Sequence, residues 1–534
     1  MTLPSKFYVN QYILTKNVIR RSDLLFFHDD LLYSGDIFVI RNEAWEPYLS
    51  HSANISKLFG IEIIFDYSIY DDSLYSFPKK TIKPILIWVN WDRISSAEKY
   101  LEKLNLVSIN QNHKVFIVVP NLNNEKFKLI RNFIENNCPW IEIIYSRGKK
   151  ILNNKEESGY SKEEVSDIIT EIGKNIIPTL FYPIIKTIIL DLDDTLYFGI
   201  LGEDGINELK ITKAHKDLQT KLKYFYNKGI LLNIASKNNA HEVDNLFKNE
   251  RVVSIPKSYF TFIHANWDNK SSSVGKILES INIDQESAVF IDDNPRELLE
   301  ISLKYPKMLL INASITKDLN KILDLKIFDR HNNTLVSNSD RSNDIKANQK
   351  RHKILQYSLN EESSLLSIGT KLMSKFASTD KELQRAEELF QKTNQFNFSN
   401  KRSKIHKSTK ISTSKVVITK LSDSFSDSGI IASMVYSSKK NGPISIEEFV
   451  ISCRALGRGL ERYILKSMLT LINRQDIIIF GNQIFFDWNK TDRNVPAQKF
   501  IKDIGMIEIT VKKKLLLEPS KLAINDIFDK VIND

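Results

Sequence analysis

An apolar run, IIKTIIL, leads straight into Asp191, Asp193, Asp194 and Thr195. Carboxylates crowded at the carboxyl end of a strand repel one another and make poor structure, so a compensating cation is expected; hard oxygen ligands of this kind suit Mg²⁺. Further along, Ser236 closes the apolar run GILLNIAS, Lys270 stands in NWDNKSSS ahead of a helical stretch, and Asp292 and Asp293 end SAVFIDD.

These side chains meet only if their strands share one parallel sheet, because open α/β sheets bind ligands in the crevice outside the carboxyl ends of the strands. Apolar strands over 186–191, 229–236, 287–293 and 307–313, separated by helical segments, predict such a sheet. Only 45 positions separate Asp191 from Ser236, and they hold the turn-rich FGILGEDG and one amphipathic stretch, AHKDLQTKLKYFYNKG. That leaves no room for a cap domain, so the site is open to a large substrate or covered by a neighbouring domain. Asp194 reads as either an outer ligand or a solvated strand-end acid, with the latter favoured.

Upstream, apolar runs at 61–65, 84–91, 114–120 and 141–145 alternate with helical segments and predict another parallel α/β sheet. It shows no nucleophile elbow, phosphate loop or His/Asp cluster. Trp45, Trp88 and Trp91 read as core rather than as a site lining. Downstream of Asp329, RHNNTLVSNSDRSNDIKANQK reads as a linker, followed by a helical region over 351–396 and a final α+β unit. There, Arg454, Gly457 and Gly459 form R-x-x-G-x-G between a strand and an amphipathic helix, where backbone N–H groups can approach an anion at the helix N-terminus. The expected division is therefore 1–180, 181–330, 331–404 and 405–534.

The 534 residues are 42% hydrophobic and 26% charged, with 17 Gly and 14 Pro, which is the composition of a globular protein. The balance of 75 basic against 65 acidic residues gives +10, with lysines spread along the chain rather than in a stripe. Nucleic acid is not expected, whereas an acidic protein partner would suit such a diffuse field. Cys138 and Cys453 are far apart, so neither a disulfide framework nor a zinc site is expected. No apolar stretch is long enough to span a bilayer. A cytoplasmic protein without a membrane anchor is the expectation, with oligomeric state open.

The ordered set Asp191, Asp193, Ser236, Lys270, Asp292 and Asp293 resembles the haloacid dehalogenase (HAD) superfamily. The resemblance implies that Asp191 attacks phosphorus to give an aspartyl-phosphate and that Asp193 acts as general acid and then base. It implies that Ser236 and Lys270 hold the phosphoryl oxygens, and that Mg²⁺ sits on Asp191, the Asp193 carbonyl, Asp292 and Asp293. The strings DLDDTLYFGILGEDG, ASKNN, NWDNKSSSV, FIDDNPRE, ELFQKTNQFNFSNKR and FVISCRALGRGLE are further similar to the FkbH-like family, over about 185–534. R-x-x-G-x-G, with DRNVPAQKFIKDIGM, resembles GCN5-related N-acetyltransferases. The implied fold is an N-terminal α/β domain, a capless HAD Rossmann-like domain and a C-terminal α+β acetyltransferase-like domain.

For the FkbH-like family the resemblance implies that 1,3-bisphosphoglycerate is dephosphorylated and its glyceryl group loaded onto the phosphopantetheine thiol of an acyl carrier protein, in polyketide or related biosynthesis. The likeness to GCN5-related N-acetyltransferases implies that Arg454, Gly457, Gly459 and Asn494 bind a pantetheine cofactor, from CoA or from the carrier; the unit then either positions that arm for the HAD site or is a decayed acetyltransferase fold that serves as a docking surface. Such relatives are expected to carry a cysteine immediately before Ser236, and this chain has Ala235. Cys453 is the other thiol, read as a buried strand residue. Two alternatives follow: a phosphatase without acyl transfer, for example in surface-polysaccharide biosynthesis, and a non-catalytic carrier-binding module. Asn394, Gln395 and Asn397 either bind substrate or cap and pack a helix.

Overall fold

The computed structural model describes residues 7–25, 31–71, 73–78, 83–108, 114–120, 125–146, 160–329, 343–347, 351, 365, 367–402, 414–438, 443–476, 484–509 and 514–517. Three sheets organise them. The first contains β1 (Tyr33–Arg41), β2 (Ile61–Tyr70), β3 (Ile85–Trp88), β4 (Val115–Val118) and β5 (Ile141–Ile144), all parallel, in the order β2-β1-β3-β4-β5. Both faces of β3 and β4 are buried, as expected of continuous apolar runs in a parallel sheet. Strand β1 was not among the expected runs, because Ser34, Asp36 and Arg41 interrupt its apolar pattern, yet it lies inside the sheet. Trp45 stacks on Trp88 at 4.6 Å and Trp91 donates its indole N–H to the Val118 carbonyl, so the tryptophans are core.

The second sheet contains β6 (Thr187–Leu190), β7 (Leu231–Ser236), β8 (Phe260–Ala265), β9 (Ala288–Asp292) and β10 (Leu309–Asn312), all parallel, in the order β10-β9-β6-β7-β8. Strand β8, broken by Thr261 and His264, also escaped the sequence reading. The central position of β6 puts its carboxyl end beside those of β7 and β9. Between β6 and β7 lie a short helix, Leu201–Asp204, a bridge from Phe198 to Lys210 and the Lys213–Asn227 helix, and no cap domain. One hydrophobic core runs through the first two units, and Gln11 exchanges two hydrogen bonds with the Asn312 backbone between them.

The third sheet is mixed: β11 (Lys371–Phe376), β12 (Ser414–Ser422), β13 (Asp427–Ser438), β14 (Ile444–Ile451), β15 (Ile484–Asp487), β16 (Ile507–Ile509) and β17 (Lys514–Leu517). Its order is β11-β12-β13-β14-β15-β17-β16, antiparallel throughout except for β14 against β15. Of the expected helical region over 351–396, residues 352–364 and 366 lie outside the described residues; among the rest, Lys371–Phe376 is instead strand β11, paired with β12 from Lys371↔Ser422 to Phe376↔Val417, and Asp380–Lys392 forms a long helix. The unit therefore begins upstream of residue 405, because a strand's partner is decided by the sheet rather than by its neighbours in sequence. Of the expected linker, 330–342 and 348–350 lie outside the described residues, as do 403–413 and 518–534.

The third unit docks on the amino-terminal edge of the second sheet. Asn282 donates to the Cys453 carbonyl at 3.0 Å, Gln395 to the Asp284 carboxylate at 2.9 Å, and Arg493 pairs with Glu286 at 2.8 Å. Among the described residues no helix is long and apolar enough to cross a membrane.

Candidate active site

Strand β6 is buried along its whole length, and the Asp191 N–H extends its ladder by donating to the Ile291 carbonyl. Asp191 thereby leaves the sheet 5% exposed. Lys270 opens the Lys270–Ile281 helix, and its Nζ lies 2.7 Å from Asp191 Oδ2 and 2.6 Å from Asp292 Oδ2. Burial alone would lower the lysine pKa, but the two carboxylates override it and hold the ammonium charged. Burial, reinforced by Asp191, raises both Asp292 and Asp293, the latter to about 6.

One carboxylate oxygen from each of Asp191, Asp292 and Asp293 lies within 4.8 Å of the others. Asp191 Oδ1 is buried without a hydrogen-bond partner, an arrangement costly unless something else satisfies it. Lysine already occupies the other oxygen. An all-oxygen, acid-rich set with one orphaned atom fits a hard divalent cation.

Asp193 is held by three donors: the Tyr197 hydroxyl at 2.7 Å, the Leu201 N–H at 3.0 Å and the Asn238 amide at 2.9 Å. Burial nevertheless raises its pKa. The Asn238 amide also reaches Ser236 Oγ at 3.0 Å, tying the end of β7 to Asp193. The expected set, Asp191, Asp193, Ser236, Lys270, Asp292 and Asp293, thus lies together at one sheet edge. Asp194 turns away from it: with φ of 49° it exchanges hydrogen bonds with Gly199 and fixes the turn.

Tyr197 and Asn238 were not singled out from sequence. Their signals were their spacing, four residues after Asp193 and two after Ser236, and a tyrosine whose hydroxyl needs a partner when buried.

The second expected set lies elsewhere. Gly457 and Gly459 adopt φ of 75° and 69° in the turn before the Glu461–Asp476 helix. Its guanidiniums face the chain's own acids: Arg458 lies 3.1 Å from Asp344, Arg454 lies 3.9 Å from it, and Arg351 bridges Asp344 and Asp423. Asn494 is wholly buried, donating to the Asn397 and Asn489 carbonyls and accepting from Thr491 N–H and the Gln498 amide. Asn397 is also buried and donates to Thr393 O, so it packs this loop.

Asn282, which holds the Cys453 carbonyl, caps the end of the Lys270–Ile281 helix opposite Lys270. Twelve residues of helix span about 18 Å. The R-x-x-G-x-G loop and the carboxylate site are thus at opposite edges of the second sheet, and the structure does not bring them together. Cys453, expected in a strand, sits in the turn after β14 and is partly exposed. Ala235 is wholly buried in an apolar cluster with Ile189, Phe262 and Phe290.

No family model matches this chain, and no curated protein matches it. Among solved structures it is similar to the N-terminal part of a Bacteroides fragilis protein containing a phosphatase domain, complexed with Mg. That match has 17% identity and a TM-score of 0.43, over 60% of this chain and 98% of that one. A second structure, described as a 3-deoxy-D-manno-octulosonate 8-phosphate phosphatase from Vibrio cholerae, has 17% identity and a TM-score of 0.20, over 28% of this chain and 89% of that one. The fold description rests on the sheet orders and registers themselves.

Proposed function

We propose that the chain is a Mg²⁺-dependent phosphohydrolase of the HAD type, and that its substrate is 1,3-bisphosphoglycerate, whose glyceryl group passes to an acyl carrier protein. The observation that carries the hydrolase is the buried, partnerless Asp191 Oδ1 beside Lys270, Asp292 and Asp293. Mg²⁺ held by those three acids would offset repulsion between the nucleophile and the phosphoryl group.

One Asp191 oxygen attacks phosphorus, forming a P–O bond as the bond to the leaving oxygen breaks. Asp193, whose raised pKa favours carrying a proton, gives it to that oxygen. The same carboxylate then takes a proton from a water that attacks phosphorus, releasing phosphate and restoring Asp191. Lys270 and Ser236 hold the phosphoryl oxygens through both steps. In the glyceryl reading this chemistry removes the monoester phosphate, while the carrier's thiolate attacks the acyl carbon and displaces the acyl phosphate.

The capless entrance supports a protein-borne acceptor. Phe198 and Ile200 on the loop after β6, and Trp267 on the loop after β8, are exposed apolar residues at the same sheet edge as Asp191. Ala235 favours a second reading, a phosphatase without acyl transfer, since the site lacks a thiol there. Intact-protein mass spectrometry of candidate holo carrier proteins, with Mg²⁺, 1,3-bisphosphoglycerate made in situ and phosphate release followed in parallel, separates the two. A glyceryl adduct lost with Asp191→Asn supports transfer. Phosphate release without an adduct leaves the phosphatase, and neither activity overturns both readings.

A further inference from the structure

Strand β2 is one edge of the first sheet, and its sequence, IEIIFDYSIY, holds no lysine or proline to blunt that edge. The Gly60 carbonyl just before it accepts from the Leu32 and Tyr33 N–H groups at the start of β1. Backbone groups alternate sides along a strand, so Glu62, Ile64 and Asp66 turn theirs toward β1 while Ile61, Ile63, Phe65 and Tyr67 turn theirs outward. The outward Ile61 carbonyl accepts the Ser56 hydroxyl at 3.2 Å. No described residue hydrogen-bonds the outward backbone groups of Ile63, Phe65 or Tyr67.

Past Tyr67 the register with β1 slips at a bulge, which ends the regular edge. Apolar side chains stand open on the same strand: Ile64 is 59% exposed, Ile69 76% and Tyr70 61%. The opposite edge of the sheet is closed differently, since β5 is four residues long and its Glu142 pairs with Lys326 of the second unit at 3.0 Å.

We infer that β2 is a homodimer interface, in which two copies of the chain pair their β2 strands antiparallel about a two-fold axis at Phe65 and join their first sheets into one. An open main-chain edge is satisfied by another strand, and a two-fold contact lays one patch on itself. The open groups select the axis. Centred on Phe65, Phe65 opposes its own copy and Ile63 opposes Tyr67, so the three open residues pair only with one another and exchange two hydrogen bonds per pair. An axis at Ile63 would need the Ile61 carbonyl that Ser56 already occupies, and one at Tyr67 would run the ladder into the bulge.

Charge removes the axes between these. At Ile64 the pairing would set Glu62 opposite Asp66, and at Asp66 it would set that acid opposite itself; like charges directly opposite are destabilising. With the axis at Phe65, Glu62 faces Ser68 and Asp66 faces Ile64, and Asp66 keeps its own ion pair with Lys83. The inference stands apart from the phosphohydrolase reading, because β2 belongs to the first unit and the carboxylate site to the second.

Sedimentation equilibrium of the full-length protein tests it, with substitutions at Ile64, which faces Asp66 of the second copy. The wild type is expected to be a dimer, and Ile64→Asp to raise its Kd at least about tenfold, because two acids then oppose each other on both sides of the axis. Ile64→Lys sets a cation against the same acid and is expected to keep Kd within about threefold of the wild type. Hydrogen exchange at the Ile63, Phe65 and Tyr67 amides should slow as wild-type concentration rises and not in Ile64→Asp, while equal protection of β3 and β4 in both proteins separates lost pairing from lost folding. A wild type that is monomeric at every concentration, a dimer indifferent to Ile64→Asp, or exchange at those amides independent of concentration overturns the interface. Equal weakening by Ile64→Lys and Ile64→Asp overturns the register.

Discussion

The Lys270 ammonium lies 2.6 Å from Asp292, with the lysine 4% exposed and the aspartate 0%, and the same nitrogen reaches Asp191. A single cation thus offsets two buried carboxylates. Lys270→Met removes it while keeping the volume, and is expected to destabilise the metal-free protein by about 3 kcal/mol. Urea unfolding in EDTA measures the loss. Phosphate release falls about a hundredfold or more, since a charge next to the reacting phosphoryl group is gone; a variant as active as the wild type would remove Lys270 from the site.

Mg²⁺ should stabilise the fold by mass action, by about 2.7 kcal/mol at a hundred times its dissociation constant. Thermal unfolding with Mg²⁺ and with EDTA reads this directly, without any substrate. Asp292→Asn and Asp293→Asn each shrink the shift. An undiminished shift in both variants would place the ion elsewhere.

Tyr197→Phe deletes one of the three donors on Asp193. A hydrogen bond to a charged group contributes about 1.5–3 kcal/mol, so kcat should fall at least about tenfold. Losing a donor to the ionised form raises the Asp193 pKa further, which moves the acid limb of the kcat profile upward. A fall in kcat with no movement of that limb would give Tyr197 a purely structural role.

Glu388 is held at about 2, since Arg385 and Lys392 overcome the upward push of burial. A carboxylate depressed in the folded state stabilises it above the unfolded value, near 4.5, and that stabilisation is lost as the pH falls toward about 2. The third unit should therefore weaken across this interval. Glu388→Gln flattens the slope and costs about 2 kcal/mol at pH 7, as denaturant titrations at several pH values would register; an unchanged slope would assign the acid sensitivity to other groups.

Asp344 is wholly buried and accepts from Arg351 and Arg458 while Ser426 and Ser428 donate to it. Asp344→Asn removes the charge these guanidiniums share and is expected to cost about 3–5 kcal/mol. Because the network lies at the far edge of the second sheet, initial rates of phosphate release should hold below the lowered melting temperature. Hydrogen exchange confined to the third unit would locate the damage, and protection there equal to wild type would show the network to be dispensable.

Residue types and order alone marked out Asp191, Asp193, Ser236, Lys270, Asp292 and Asp293. Each stands where an apolar run ends or a helix begins, and run boundaries are local properties of a chain. The parallel character of the first two sheets followed from the same alternation of apolar runs and helical segments. Strands β1, β8 and β11 were lost because their polar residues break the local pattern, and cross-strand partners, from Phe376 with Val417 onward, supply what the pattern lacks.

Tertiary structure alone decided three things. It made Tyr197 and Asn238 the clamps of Asp193. It filled the space before Arg454 and Arg458 with Asp344, more than a hundred residues away. It also set the R-x-x-G-x-G loop against the amino-terminal edge of the sheet whose carboxyl edge bears Asp191. A motif carries the chemistry its residues can perform, but which buried charges share a partner depends on how separately folded surfaces pack. That packing is a sum over contacts distant in sequence, and no local window contains it.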